Sequence, residues 1–251
     1  MAEHDRVTTD TSSYPGISVI AINRPDRKNA VDPLTAKALY EAILVFEDDP
    51  KQKADSDTPS DNLQPINGRN LGPMGPSRLL IKKPVICAIS GYAVAGGLEL
   101  SLLADMRVVE EDAVFGVFCR RWGVPLIDGG TVRLQAIVGL GRALDMILTG
   151  RPVSAQEALT MGLASRVVPK GESLKEAIGI ARQLITFPEL CLNTDRQSCY
   201  YSAYEASSFQ DAMSQEFNAG SKVISQEAIA GAAKFSKGSG RHGSFKDHSK
   251  L

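Results

Sequence analysis

An α/β fold is expected from three features of the 251-residue chain. An apolar, β-prone run at Val85 to Ile89 passes through Ser90-Gly91 and the small-residue turn Ala95-Gly96-Gly97 into a buried helical pattern at Leu98 to Ala104, giving strand, glycine turn and helix start in succession. Short strand-like and helical stretches alternate between Arg6 and Val168. From Glu172 onward the pattern is helical.

Taken in order, Ile17 to Asn23 is a short strand that Arg6 to Thr11 can pair with across Tyr14-Pro15-Gly16. Asp32-Pro33 then opens a helix to about Glu47, with Asp at the N-cap and Pro at the first helical position. Asp48 to Asn70 carries no strand pattern and is rich in Asp, Ser, Pro, Asn and Lys, so it reads as a solvated loop. Gly72 to Arg78 leads into a short helical turn before the central strand. Beyond the central segment, Met106 to Val109 and Ala113 to Phe115 are strand-like, and Thr131 to Val138 and Arg142 to Leu148 are helical. Ser154 with Glu157 forms a capping box for a helix that ends at Gly162, and Ala164 to Val168 is a short strand. Four helices follow, at Glu172 to Leu184, Pro188 to Ala203, Ser207 to Ala219 and Ser225 to Phe235, before a Gly/Ser-rich tail.

Composition narrows the function. Hydrophobic residues make up 43% and the net charge is −1, an ordinary globular balance that argues against nucleic acid or an anionic membrane as partner. No apolar run is long enough for a membrane span, and the polar, acid-bearing N-terminus resembles neither a secretory signal nor a transit peptide. Cys87, Cys119, Cys191 and Cys199 show no metal or disulfide spacing, and His4, His242 and His248 all lie near the ends. No metal is therefore expected, and acid–base chemistry falls to carboxylates or, failing those, a cysteine. The final Ser249-Lys250-Leu251 matches a peroxisomal address, so an import receptor is an expected partner and the peroxisome the expected location.

KPVICAISGYAVAGGLEL, followed by FGVFCRRWGVPLIDGGTVRL, resembles the enoyl-CoA hydratase/isomerase (crotonase) superfamily. NRPDRKNAV at Asn23 to Val31, TGRPVSAQEALTMGLASRVVP at Thr149 to Pro169 and GAAKFSKGSGRHGSF at Gly231 to Phe245 extend the likeness. The resemblance implies a spiral of β-β-α units with a helical C-terminal region that makes trimers or hexamers, an acyl-CoA thioester as substrate, and no cofactor beyond the coenzyme A of that substrate. The corresponding division is a core over residues 1–185, a helical region over 186–237 and a tail over 238–251.

The same likeness ranks the site residues. Glycines admit a close backbone approach, and amides at a helix start suit an oxygen bearing negative charge, so Gly96 is expected to donate to the thioester oxygen, with Gly97 beside it. Glu99, the only charged residue between Lys83 and Asp105, aligns with one of the two carboxylates hydratases use on water; the other reading is a dipole-favoured cap. Asp128 aligns with an acid of dienoyl-CoA isomerase-like members, or else caps the following helix. Arg27 and Lys28 occupy positions near the CoA phosphates, or form a solvated turn. Cys119 stands where hydratases carry their second glutamate; it acts as a base only if Arg120 or Arg121 lowers its pKa, and otherwise is a small core residue.

One family feature is missing. The strand and oxyanion-hole loop that follow the first helix in the family have no counterpart, as if deleted at about Pro50/Lys51. Such a deletion removes one of two donors to the thioester oxygen and leaves sheet edges unpaired or shifted.

Overall fold

A computed structural model describes residues 6–47, 63–224 and 227. The junction at 50/51, His4, His242, His248, the helix expected at 225–235 apart from Glu227, and the terminal Ser249-Lys250-Leu251 lie outside the described residues. The chain forms two compact units divided between Ile178 and Gly179.

In the first unit, β1 (Val7–Asp10) and β2 (Val19–Ile22) make the expected antiparallel hairpin, with Val7 opposite Ile22. Helix α1 (Pro33–Phe46) starts as its sequence dictates: Asp32 accepts from the Thr35 amide at 2.9 Å and the Thr35 hydroxyl at 2.7 Å. Arg6 and Arg24 close on the same carboxylate at 2.6 and 2.7 Å, tying hairpin to helix. Burial would raise the pKa of Asp32, but these donors and cations hold it down at about 2. Ala36, Leu39, Tyr40, Ile43 and Leu44 recur every three or four residues as the buried face of α1. Tyr40, Ile43 and Leu44 pack there with Leu79 and Ile81, and Ile20 and Leu71 lie against the cluster.

The central segment holds one more strand than the sequence suggests. Between β3 (Ile86–Ile89) and α2 (Gly96–Ser101) runs β4 (Tyr92–Val94), and the helix ends before the expected Ala104. β5 (Met106–Glu110), β6 (Val114–Gly116), α3 (Gly130–Val138) and α4 (Leu140–Thr149) follow. Then come β7 (Val153–Ser154), α5 (Ala155–Thr160) and β8 (Arg166–Val168). One sheet is β3-β5-β8, parallel throughout; the other is β4-β6-β7, with β7 antiparallel. Thus β3-β4-α2 and β5-β6-α3 are successive β-β-α units, the first strand of each in one sheet and the second in the other. Phe115, Leu98, Leu134, Met146, Val153 and Leu163 fill the core between them.

β4 and β7 span three and two residues, too short for a period of two to register in a sequence. The capping box is half made: the Ser154 hydroxyl accepts from the Glu157 amide at 3.2 Å, while the Glu157 carboxylate is drawn to Arg151 instead. Among the described residues, β3 has a strand neighbour only in β5, and β2 only in β1.

Helix α6 (Ser173–Leu184) runs across the division. The second unit contains α7 (Glu189–Tyr204) and α8 (Phe209–Val223). Ser208 caps α8 through the Asp211 amide at 3.1 Å, and the Tyr201 hydroxyl reaches the Asp211 carboxylate at 3.0 Å. The Glu227 carboxylate takes the Leu190 and Cys191 amides at the start of α7, at 3.2 and 2.8 Å. No described helix is long and apolar enough to cross a membrane.

Candidate active site

The site is built where α2 begins. Ala95 sits at its N-cap with φ of 51°, in the left-handed region that alanine rarely adopts, and its amide is anchored on the Gly116 carbonyl at 2.9 Å. Gly96 and Gly97 then open α2, where first-turn amides have no acceptor within their own helix. A side chain on Gly96 would lie 2.5 Å from the Met74 sulfur, whereas one on Gly97 would meet open space. Gly97 is therefore not demanded by packing.

One turn into α2, Glu99 is 4% exposed. Its Oε1 accepts the amides of Asp128 and Gly130, each at 2.9 Å, and Oε2 takes no hydrogen bond from the described residues. Gly130 must lack a side chain, because a Cβ there would stand 2.9 Å from both Cγ and Oε1 of Glu99. Burial pushes the Glu99 pKa up; the two amides and Arg133 pull it down without cancelling the rise, and the charge of Asp128 adds to it. The result is a carboxyl shielded from water with an uncommitted oxygen that can carry a proton. As a cap, Glu99 serves α3, not its own helix.

Asp128 lies in the same place, also 4% exposed, but it does not cap α3. Gly129 holds the N-cap position at φ 90° and offers no side chain, while the Asp128 carboxylate turns toward residues 74–77. Its Oδ1 accepts the Met74 amide at 3.0 Å and the Ser77 hydroxyl; Oδ2 takes none from the described residues. Arg133 fixes the neighbouring backbone by donating to the carbonyls of Ser77 at 2.7 Å, Leu79 at 3.1 Å and Asp128 at 3.4 Å.

Met74, Ser77 and Arg133 were not singled out from sequence. Two signals for them existed: the closely spaced glycines of GPMG, and Arg133 as the one charged residue within α3.

Cys119 falls in a 3-10 turn, Phe118–Trp122. Burial and the charge of Glu99 push its thiol pKa up, outweighing Arg120, which speaks against a thiolate base, and the half-buried side chain packs against the core. Arg27 and Lys28 are exposed on a turn whose form is set by other residues. Lys28 and Asn29 take φ of 50° and 57°, held by the Asn29 side chain on the Arg24 amide at 2.7 Å and by Arg24 on the Ala30 carbonyl. Arg24 is committed to Asp32 and Ala30, whereas Arg27 and Lys28 meet no acid among the described residues. No group of three or more metal-ligating side chains comes together among the described residues.

Two buried carboxyls, Glu99 and Asp128, therefore lie beside a glycine helix start on successive β-β-α units. The chain belongs to the enoyl-CoA hydratase/isomerase family, whose model matches residues 78–238. Carnitinyl-CoA dehydratases of Salmonella typhi and Salmonella typhimurium are 33% identical to it over 198 residues, covering 69% of this chain and 72% of each relative. Crystal structures of enoyl-CoA hydratases from Mycobacterium tuberculosis and Mycobacterium marinum superpose with TM-scores of 0.80 at 26% identity, covering 93% of this chain and 96% of theirs.

Proposed function

We propose that this protein is an acyl-CoA thioester hydratase or isomerase that works through an enolate, with reduced activity. The observation that carries the reading is Glu99: a buried carboxyl, raised in pKa, one turn beyond Gly96 and joined through the Asp128 amide to a second buried carboxyl. The Gly96 amide grips the thioester oxygen, so charge that moves there when a proton leaves the adjacent carbon is stabilised. Glu99 and Asp128 exchange protons at two carbons of the acyl chain, through the oxygens that hold no hydrogen bond. That suits moving a double bond, or adding and removing water across it; the name of the Salmonella relatives, carnitinyl-CoA dehydratase, favours the latter. Arg27 and Lys28, exposed and without an acid partner among the described residues, take the CoA phosphates in this reading, and coenzyme A enters only as part of the substrate.

Reduced activity follows if the second oxyanion donor went with residues missing near 50/51, a loss of about 10²–10³ in rate. The strand edges of β2 and β3 that have no second neighbour among the described residues fit such a gap. An inactive chain that assembles with intact subunits is the second reading. It is favoured by the engagement of Asp128 with Met74 and Ser77, and by Phe209, Met213 and Phe217, exposed at four-residue spacing along α8 as an oligomer-forming stripe would be. Trimer or hexamer formation, and peroxisomal import through Ser249-Lys250-Leu251, belong to the proposal in either case.

The test is turnover of crotonyl-CoA and of 3-enoyl and dienoyl thioesters, beside light scattering. Turnover more than tenfold below an intact relative supports impairment. Turnover within tenfold of one refutes it, no turnover with oligomers leaves the second reading, and a monomer removes subunit mixing.

A further inference from the structure

We propose that the Met74 side chain is a gate, and hence a specificity-determining residue, for the acyl thioester; this rests on the thioester reading above. Met74 is the side chain that closes on Gly96: its sulfur, Cε and Cγ lie 2.5, 2.7 and 3.0 Å from where a Cβ on Gly96 would stand. A thioester oxygen seated on the Gly96 amide brings its acyl carbons into that neighbourhood, so something must yield.

The backbone of the 72–78 turn is not free to do so. Gly72 and Gly75 exchange amide and carbonyl bonds at 2.9 and 2.8 Å. Gly75, at φ 81°, is pressed so closely on α1 that a Cβ would come within 2.3 Å of the Ala36 carbonyl oxygen. Asp128 holds the Met74 amide and the Ser77 hydroxyl, and Arg133 holds the Ser77 and Leu79 carbonyls. Downstream, Leu79 is fixed in the apolar cluster on α1. What can move is the half-buried thioether, which has three rotatable bonds and no polar partner to lose. The turn is thus a fixed hinge post and the methionine a swinging side chain. An acyl group enters only in the fraction of molecules whose Met74 has turned away, which weakens its apparent affinity by that fraction. Free coenzyme A, lacking the acyl group, does not meet the gate.

The experiment is calorimetric titration of the full chain, Met74→Ala and Met74→Phe with crotonyl-CoA and with free CoA, with the Met74 methyl signal of 13C-methyl-methionine protein followed alongside. The gate predicts that Met74→Ala tightens crotonyl-CoA roughly tenfold with free CoA unchanged, as for a competent state populated at about a tenth. It also predicts that Met74→Phe weakens crotonyl-CoA and that the methyl signal shifts with crotonyl-CoA but not with CoA. Equal crotonyl-CoA affinities for wild type and Met74→Ala overturn the gate and leave the thioester reading standing, as does equal tightening of both ligands. Failure of every form to bind either ligand removes the thioester reading, and the gate with it.

Discussion

Asp128 donates its amide to Glu99 Oε1 at 2.9 Å while its own carboxylate faces the other way, onto the Met74 amide and the Ser77 hydroxyl. One residue therefore supports a buried acid with its backbone and is itself supported through its side chain. The two carboxyls are held at fixed relation without sharing a proton-donating partner, and each is left with one oxygen for chemistry. That arrangement yields opposite expectations for the two residues.

For Glu99 the expectation is a pH signature. Its native pKa is raised by burial above the ordinary 4.5, so the unfolded chain releases this proton at lower pH than the folded one. The contribution to stability is fully present below 4.5 and is lost as pH rises through the raised native value. Glu99→Gln keeps an oxygen for the Asp128 and Gly130 amides but has no proton to lose. Melting temperatures measured from acid to neutral pH should diverge, with the variant gaining on wild type as pH rises. Parallel curves would mean that Glu99 is not held neutral.

For Asp128 the expectation separates stability from turnover. Asp128→Ala strands the Met74 N–H and the Ser77 O–H, and each buried donor left without an acceptor costs roughly 1–3 kcal/mol. Asp128→Asn still presents an oxygen to both, so urea unfolding should place it much closer to wild type. If Asp128 moves a proton, turnover falls in both variants by about 10²–10⁴. An Asn variant at wild-type rate would reduce Asp128 to a structural post.

Cys119 gives a third, chemical check. Its thiol is pushed up by burial and by the Glu99 charge, while Cys191 and Cys199 are exposed. Mass spectrometry after brief iodoacetamide treatment at neutral pH should find Cys191 and Cys199 modified before Cys119. Above the raised Glu99 pKa, where that carboxylate carries its charge, Glu99→Gln should speed Cys119 alkylation, since one of the two causes of the raised thiol pKa disappears. Cys119 modified as fast as the exposed pair would contradict a half-buried thiol of raised pKa.

Much of this was legible from sequence because it rests on local chemistry. The Asp32-Pro33 helix start, the hairpin across Tyr14 to Gly16, the Gly96 turn and helices α6 to α8 each depend on residues within a few positions. Of the site, Gly96, Glu99 and Asp128 were legible as candidates, but not the partners that hold Asp128 in place. Asp128 and Ser77 are 51 positions apart and Arg133 and Ser77 56 apart, and no periodicity or cap rule links such distances. For the same reason Asp128 looked equally suited to capping its own helix: the competing donors at Met74 and Ser77 exist only after folding. Cys119 was read against Arg120 and Arg121, its neighbours in sequence, when Glu99 and burial govern it in space.

The last prediction uses glycines to separate packing from substrate contact. At Gly130 a methyl group would meet Leu126 Cδ1 at 3.1 Å and Glu99 Cγ and Oε1 at 2.9 Å, and the two Glu99 atoms cannot retreat without disturbing the amide bonds to Oε1. Gly130→Ala should therefore destabilise by about 1–3 kcal/mol, the usual cost of overpacking, and displace the acid as well. At Gly97, inside α2 and with open space before it, alanine should fit and could add up to about 1 kcal/mol of helix stability. If open space at Gly97 is where the acyl thioester lies, that added methyl raises KM for crotonyl-CoA while the melting temperature holds or rises. Unfolding and steady-state kinetics on both variants decide the point. A Gly97→Ala protein with unchanged KM would move the substrate off this face of α2, and a stable, active Gly130→Ala protein would show that Glu99 need not sit where the two amides hold it.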